Sequence, residues 1–90
     1  MTARQVFYEG RVQGVGFRYT VKTIARGYEV TGWVRNLDDG RVELQVSGER
    51  EELEGFLEAI AESELKSHIK RVDAQSIAPV GGTRGFEIVA

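Results

Sequence analysis

The sequence predicts a small α+β domain in which an antiparallel sheet carries two helices on one of its faces. Its 90 residues, of which 41% are hydrophobic, suffice for one core and are too few for a second. Strand-like alternation and helix-like spacing of apolar residues follow one another in the order β-α-β-β-α-β. A short further strand pattern comes last, and this order is typical of the split βαβ, or ferredoxin-like, sandwich. We therefore expect residues 1–90 to form a single domain.

The first half of the chain predicts two strands and one helix. Residues 5–12 alternate apolar and other side chains, as a half-buried strand does. Residues 18–26 repeat apolar side chains at helical spacing, and Gly27 follows where a helix would end. Residues 30–36 contain β-branched and aromatic side chains and predict the second strand.

The second half predicts a hairpin, a long amphipathic helix and two further strands. Acidic residues followed by glycine supply the chemistry of a tight turn between two alternating segments. The predicted segments are a hairpin turn at 37–40, a strand at 41–47, a helix at 49–64, a strand at 69–77, a loop at 79–85 and a short strand at 86–89.

Composition and charge exclude or disfavour several classes of protein. The net charge of −2 disfavours a nucleic-acid binder driven by bulk electrostatics. Without cysteine there is no disulfide, thiol nucleophile or thiolate metal site, and no apolar run approaches the ~20 residues of a membrane span. The first residues lack the apolar core of a signal peptide. We expect a cytoplasmic protein that binds neither membranes nor nucleic acids.

The most informative segment is residues 10–18, which read GRVQGVGFR. Glycine lets backbone N–H groups converge on a ligand, and the arginine that follows adds a guanidinium fork. The segment lies between a strand pattern and a helix pattern, so it leads into a helix N-terminus, which favours anions. It lacks the Lys-Ser/Thr ending of a Walker loop and the spacing of a dinucleotide loop. The sequence therefore predicts a phosphate-binding loop of a different kind.

Strand parity brings a polar amide close to this loop. Asn36 shares a strand face with Val30 and Val34, which we expect to face the helices. Arg18 begins the first predicted helix on the same side of the sheet. We therefore expect the Asn36 amide and the Arg18 guanidinium to meet beside the glycine-rich loop.

These motifs resemble those of the acylphosphatase family. Residues 10–18 match the family signature Gly-x-Val-Gln-Gly-Val-x-Phe-Arg. A second signature is found at residues 32–36, which read GWVRN, and continues through residues 39–43, which read DGRVE. The resemblance extends over nearly the whole chain, to the GFEI sequence at residues 85–88. It implies the same ferredoxin-like fold.

The resemblance implies an enzyme that hydrolyses a small-molecule acyl phosphate to a carboxylate and inorganic phosphate, as a monomer and without metal or cofactor. It assigns catalytic roles to Arg18, which binds the phosphate, and Asn36, which orients the attacking water. Two positions depart from the family pattern: Gly16 stands where many relatives carry a bulky aromatic and should widen the loop rim, and Leu37 stands where some relatives place a hydroxyl beside the asparagine. The residues implied to hold the phosphate are Gln13, Gly14, Val15, Gly16, Phe17 and Arg18, all but the last through backbone N–H groups.

The chemistry of these motifs offers no side chain as a base. An amide such as that of Asn36 is not a useful base near neutral pH, and the motifs hold no His, Cys or paired carboxylates. We therefore hypothesise that a phosphate oxygen of the substrate accepts the proton of the water. Asp38 and Asp39 precede a glycine and fit turn formation better than a metal site, which needs more convergent carboxylates.

Other interpretations compete with the enzyme. Taken alone, the glycines fit a tight turn and Asn36 fits a turn residue. An RNA-recognition motif shares the topology, but residues 41–46 carry no aromatic side chain with which to stack a base. A carrier or regulatory domain remains the third alternative, because acylphosphatase-like domains also begin larger carbamoyltransferases; the length of this chain favours a free-standing enzyme.

Overall fold

The computed structural model describes residues 1–79 and 84–90, and in this part of the chain a five-stranded sheet carries two helices. The order of elements is the predicted ferredoxin-like one, with a short strand added at the end. Part of the loop predicted at 79–85 lies outside the described residues. The elements are β1 (Thr2–Gly10), α1 (Phe17–Ala25), β2 (Val30–Asn36), β3 (Val42–Gly48), α2 (Arg50–Ala61), a 3-10 helix (Glu64–His68), β4 (Ile69–Ile77) and β5 (Phe86–Ile88).

The strands are arranged in the order β4-β1-β3-β2-β5. The first four pair antiparallel, as predicted, whereas β5 pairs parallel with β2, so the sheet is mixed. The direction of β5 follows from topology. Strand β4 runs opposite to β2, so the C-terminal end of β4 lies at the same end of the strands as the N-terminal end of β2. A chain that starts beside β2 from that end must run parallel to β2.

The hydrophobic core lies between the sheet and the two helices. Each helix contributes an apolar stripe, and the ring of Phe56 on α2 packs edge-on against Phe86 at a centroid distance of 5.6 Å. These contacts fix the helices over one face of the sheet. The buried cluster consists of Val6, Tyr8, Val12, Phe17, Val21, Ala25, Val30, Val34, Val42, Leu44, Val46, Leu53, Phe56, Ile60 and Leu65.

Strand β1 ends two residues earlier than its alternation predicts. The register with β4 shifts between Glu9 and Gly10, and a Cβ at Gly10 would overlap the carbonyl oxygen of His68. The next N–H group, that of Arg11, donates to the same carbonyl at 2.9 Å. This close approach turns the chain out of the sheet, while Val12 remains buried in the core.

The helix predicted at 49–64 is also shorter in the structure. Helix α2 ends at Ala61, and the Ser63 hydroxyl accepts a hydrogen bond from the Leu65 N–H at 3.1 Å. A side chain that binds the backbone locally competes with helix continuation. A 3-10 helix therefore begins here, and it buries Leu65.

The face of the sheet without helices is held by a polar network around a buried carboxylate. Glu43 on β3 is only 3% exposed. Its carboxylate accepts hydrogen bonds from Gln5 at 2.7 Å, Gln45 at 3.3 Å and Arg35 Nε at 2.9 Å, and pairs with Arg35 Nη2 at 2.8 Å. Burial raises the pKa of Glu43, but these hydrogen bonds and the guanidinium charge outweigh it and hold the pKa below its ordinary value of 4.5. The network joins the three central strands.

We expect Glu43→Gln to lower the free energy of unfolding at neutral pH by about 2 kcal/mol, because hydrogen bonds to charged groups contribute more than neutral ones. Since the folded-state pKa of Glu43 lies below the unfolded one, its stabilisation is present above pH 4.5 and is lost as the pH falls through the folded value. The gap between wild type and Glu43→Gln in urea denaturation should therefore narrow from pH 7 to about pH 3. A gap that stays constant with pH would contradict this role.

Candidate active site

A cavity of about 160 Å³ opens where the loop after β1, the first turn of α1 and the end of β2 meet. Arg18 and Asn36 both line it, as strand parity predicts. Gly14 and Gly16, from the loop that precedes Arg18, contribute backbone to the same lining. With Phe17, the structure thus brings five of the predicted site residues around one space. The full lining consists of Val12, Gly14, Gly16, Phe17, Arg18, Tyr19, Asn36 and Ile88.

The loop of residues 11–16 presents unpaired backbone N–H groups. Gly14 and Gly16 have φ angles of 78° and 76°, which side chains other than glycine rarely adopt. A Cβ at either position would meet no atom within 4 Å, so the conformation, rather than a lack of space, requires glycine. Within the described ranges, the N–H groups of residues 13–19 have no hydrogen-bond acceptor. Several donors are therefore free to bind one anion.

The N-terminus of α1 adds its dipole to these donors. Gly16 is the N-cap residue and offers no side chain to cap the helix, and the first turn contains no acidic residue. Open first-turn N–H groups carry partial positive charge and attract anions. The end of α1 that faces the cavity thus has the polarity that a phosphate group needs.

Arg18 supplies a full positive charge that the protein does not neutralise. Its side chain is half-buried, and among the described residues no carboxylate lies within 4.0 Å of the guanidinium. Arg35 and Arg41, in contrast, pair with Glu43 and Asp39 at 2.8 Å each. The Arg18 fork is therefore available to bind two oxygens of a phosphate at once.

Asn36, which lines the same cavity, carries a buried acceptor. It is the last residue of β2 and pairs with Val42 on β3. Its Oδ1 atom is buried and has no hydrogen-bond donor in the part of the chain that the structure describes. A buried acceptor without a donor costs about 1–3 kcal/mol. A bound water or ligand that donates to Oδ1 would remove this cost.

Two residues of the predicted loop lie outside the lining of the cavity. Val15 is 41% exposed. The Gln13 side chain points to the β2–β3 hairpin, where its Nε2 atom donates to the carbonyls of Leu37 at 2.8 Å and Arg41 at 3.0 Å. The backbone roles expected of both residues stay predictions, and the sequence motifs do not predict this side-chain contact of Gln13.

Phe17 is the first residue of α1, and its side chain anchors the loop in the core. Its ring is 1% exposed and lies 5.1 Å from that of Tyr8. Burial raises the pKa of the Tyr8 hydroxyl well above its ordinary value, so this group stays neutral. The anchor fixes where the helix begins, and with it the position of Arg18.

Three residues that line the cavity are not among the predicted site residues: Val12, Tyr19 and Ile88. The alternation of the first strand assigns Val12 to that strand. Ile88 reaches the site because β5 pairs with β2, with Ile88 opposite Val34. The alternation of residues 86–88 predicts the strand, but no local signal names its neighbour in the sheet.

The acidic turn of the hairpin binds an arginine of its own. Asp39 accepts hydrogen bonds from the Arg41 N–H at 3.1 Å and from Arg41 Nε at 2.8 Å, and these lower the pKa of its carboxyl. Within residues 1–79 and 84–90, no three His, Asp or Glu side chains come together in a way that could hold a metal ion. Neither described helix is long and apolar enough to span a membrane.

Comparison with known proteins assigns the chain to a family. The model of the family named Acylphosphatase matches residues 4–88. The chain belongs to the acylphosphatase family. A curated acylphosphatase of Roseiflexus sp. (strain RS-1) is 40% identical over 89 residues, which are 99% of this chain and 96% of the relative.

Solved structures agree with this assignment. The crystal structure of the acylphosphatase from Bacillus subtilis superposes with a TM-score of 0.90 at 37% identity and covers 100% of both chains. The structure of T. kodakarensis HypF, a much longer protein, matches all of this chain with a TM-score of 0.85 at 34% identity, but only 12% of its own length is covered. Acylphosphatase membership confirms the predicted fold and implies hydrolysis of acyl phosphates.

Proposed function

We propose that this acylphosphatase hydrolyses acyl phosphates without a metal ion or cofactor, with the phosphoryl group held by the loop N–H groups and Arg18 and the water oriented by Asn36. The observation that carries the proposal is the lining of one cavity by unpaired donors and an unpaired acceptor. Among the lining residues, the donors are the N–H groups of Gly14 and of residues 16–19 together with the Arg18 guanidinium, and the acceptor is Oδ1 of Asn36.

This arrangement matches the needs of the reaction. The acyl phosphate is a mixed anhydride, and its carboxylate is a good leaving group. The site must hold the phosphoryl oxygens, spread their charge and place a water in line with the bond that breaks. The water oxygen forms a bond to phosphorus as the bond from phosphorus to the acyl oxygen breaks, and the electron pair leaves with the carboxylate.

The proton of the water goes to an oxygen of the substrate's own phosphate. None of the side chains that line the cavity, as the structure describes it, is a carboxylate, an imidazole or a thiol. Asn36 accepts a hydrogen bond from the water and cannot take its proton. A bell-shaped pH profile of kcat/KM that loses one limb on mutation of a single carboxylate would contradict this route.

Gly16 defines the acyl-group preference in this proposal. A Cβ added at Gly16 would meet no atom within 4 Å, so the rim of the loop is open where many relatives carry an aromatic ring. Leu37 has no hydroxyl with which to support Asn36. We propose that the site accepts acyl groups of various sizes, among them acetyl, carbamoyl and the larger acyl group of 1,3-bisphosphoglycerate.

We further propose a cytoplasmic, single-domain monomer whose partners are small molecules rather than nucleic acids or membranes. Two aromatic rings lie on the helix-free face of the sheet, where an RNA-recognition motif would stack bases. Arg41 covers Phe7 at 4.7 Å, and Arg35 covers Trp33 at 5.1 Å, both measured from the guanidinium carbon to the ring centroid. Each ring already has a stacking partner, which argues against RNA binding.

Phosphate release from benzoyl, acetyl and carbamoyl phosphate, measured with EDTA present, tests the proposal. The wild-type protein should hydrolyse these substrates in EDTA. Asn36→Ala should lower kcat about 10²-fold, the loss typical of one preorganised polar group at a reacting centre. The inhibition constant of inorganic phosphate should change little, because Asn36 orients the water and the loop binds the phosphate. Gln75→Ala, on the edge strand β4 away from the site, serves as the control.

Three outcomes would contradict separate parts of the proposal. Near-normal hydrolysis by Asn36→Ala removes the water-orienting role. Loss of wild-type activity in EDTA, restored by a divalent cation, removes metal independence. Phosphate binding by wild type without turnover would favour the carrier-domain alternative, which the match to the longer HypF chain keeps relevant.

A further inference from the structure

The Gln13 side chain joins the phosphate loop to the strand end that carries Asn36. We infer that Gln13 is a positioning residue, whose amide sets the separation between the phosphate cradle and the water-orienting Asn36. The inference rests on the proposed function and goes beyond the backbone role that the family resemblance gives this residue.

The geometry of the contact is specific. Nε2 of Gln13 donates to the carbonyls of Leu37 at 2.8 Å and of Arg41 at 3.0 Å. The same two carbonyls close the hairpin: that of Leu37 accepts from the Gly40 N–H at 3.1 Å, and that of Arg41 accepts from the Leu37 N–H at 2.8 Å. Since both partners are acceptors, the amide nitrogen must face them, and both of its hydrogens are used.

The position of these carbonyls explains what the contact controls. Leu37 directly follows Asn36, so one of the two hydrogen bonds holds the carbonyl of the residue next to the water-orienting one. Among the described residues, Gln13 makes the only hydrogen bonds between the loop of residues 11–16 and the hairpin. Leu37 itself has no side-chain hydroxyl, and the Gln13 amide supplies support from the phosphate loop instead.

Loss of this contact should affect the reaction more than binding. The cradle for the phosphate is formed by residues 13–18 themselves, and helix α1 and the Phe17 anchor keep its shape. The water, in contrast, must lie in line with the breaking bond, and a misplacement of 1 Å can cost about 10²-fold in rate. We expect kcat to fall between about tenfold and 10²-fold with an unchanged inhibition constant for inorganic phosphate.

Two variants test the role in complementary ways. Gln13→Met keeps the length of the side chain and removes both donors, whereas Gln13→Asn keeps the amide but shortens its reach by one methylene. Gln75→Met is the matched control, because it makes the same chemical change on β4, where the Gln75 side chain hydrogen-bonds only to Gln5 among the described residues. Thermal unfolding establishes that each variant is folded; Gln13 is solvent-exposed, so we expect small changes in Tm.

The decisive measurement is a double-mutant cycle on kcat with benzoyl phosphate. If Gln13 acts by positioning Asn36, Gln13→Met should lower kcat in wild type but have little further effect in the Asn36→Ala background. Equal losses in both backgrounds, wild-type kcat in both Gln13 variants, or a matching rise in the phosphate inhibition constant would overturn the inference.

The same experiment separates this inference from the proposed function. If Asn36→Ala alone retains full activity, the proposed role of Asn36 fails, and the positioning of Asn36 by Gln13 fails with it. If Asn36→Ala is impaired and the Gln13 variants behave like Gln75→Met, only the inference about Gln13 is overturned.

Discussion

Arg18→Ala is expected to lower kcat/KM for acyl phosphates by about 10³-fold or more, a loss comparable to removal of the arginine that stabilises other phosphoryl transfers. The guanidinium has no carboxylate partner among the described residues, so its charge and its donors are directed to the ligand. Arg18→Lys should recover little activity, because an ammonium group is a point charge and cannot bind two phosphate oxygens as a planar fork.

Both variants should stay folded, since Arg18 is half-buried and makes no ion pair or side-chain hydrogen bond within the described ranges. The measurement is steady-state phosphate release together with the inhibition constant of inorganic phosphate, which should rise strongly in both variants. Arg26→Ala, at the opposite end of the same helix, is the control and should behave like wild type. A kcat/KM within about tenfold of wild type for Arg18→Lys would show that charge alone suffices.

The pattern of apolar and polar side chains predicts the bounds of a strand or helix well where no distant contact changes them. Strand β2 and strand β4 have the predicted bounds, because alternation and flanking turns define both ends. The predicted ends of β1 and α2 are wrong for reasons that lie elsewhere in the chain. The chain leaves the sheet after Gly10 because the His68 carbonyl approaches that residue, and α2 stops because Ser63 starts a new turn.

The site is predictable to the extent that it depends on local motifs. Glycines before a helix and an asparagine on the helix-facing side of a strand are local facts, and they are sufficient to place Arg18 and Asn36 together. The hydrogen bonds of Gln13 to Leu37 and Arg41 span 24 and 28 residues, and the contribution of Ile88 depends on a parallel pairing. Such contacts depend on the tertiary arrangement, which no window of sequence contains.

Gly32→Ala should lower the free energy of unfolding by about 4 kcal/mol or more, a larger loss than that expected of Glu43→Gln. Gly32 lies in the middle of β2 with a φ angle of 153°, and a Cβ there would overlap the carbonyl oxygen of Gln45. Its N–H also donates to the carbonyl of Gly85 at 3.0 Å. The Cβ would meet backbone atoms of β3, and the Gly32 N–H is bound to the backbone of Gly85 on the other side. Because the obstacle is backbone, no side chain can rotate to make room.

The added methyl group must therefore push β2 away from β3, and this displacement reaches Asn36 four residues further along. We expect Tm to fall by about 20 °C, since 1 kcal/mol corresponds to about 4–8 °C in a domain of this size. Gly40→Ala is the matched control: Gly40 also has a positive φ, 96°, but a Cβ there meets no atom within 4 Å. It should lose only the conformational cost of about 1–2 kcal/mol. Similar losses of Tm in the two variants would show that backbone conformation, and not the contact with Gln45, makes glycine necessary in β2.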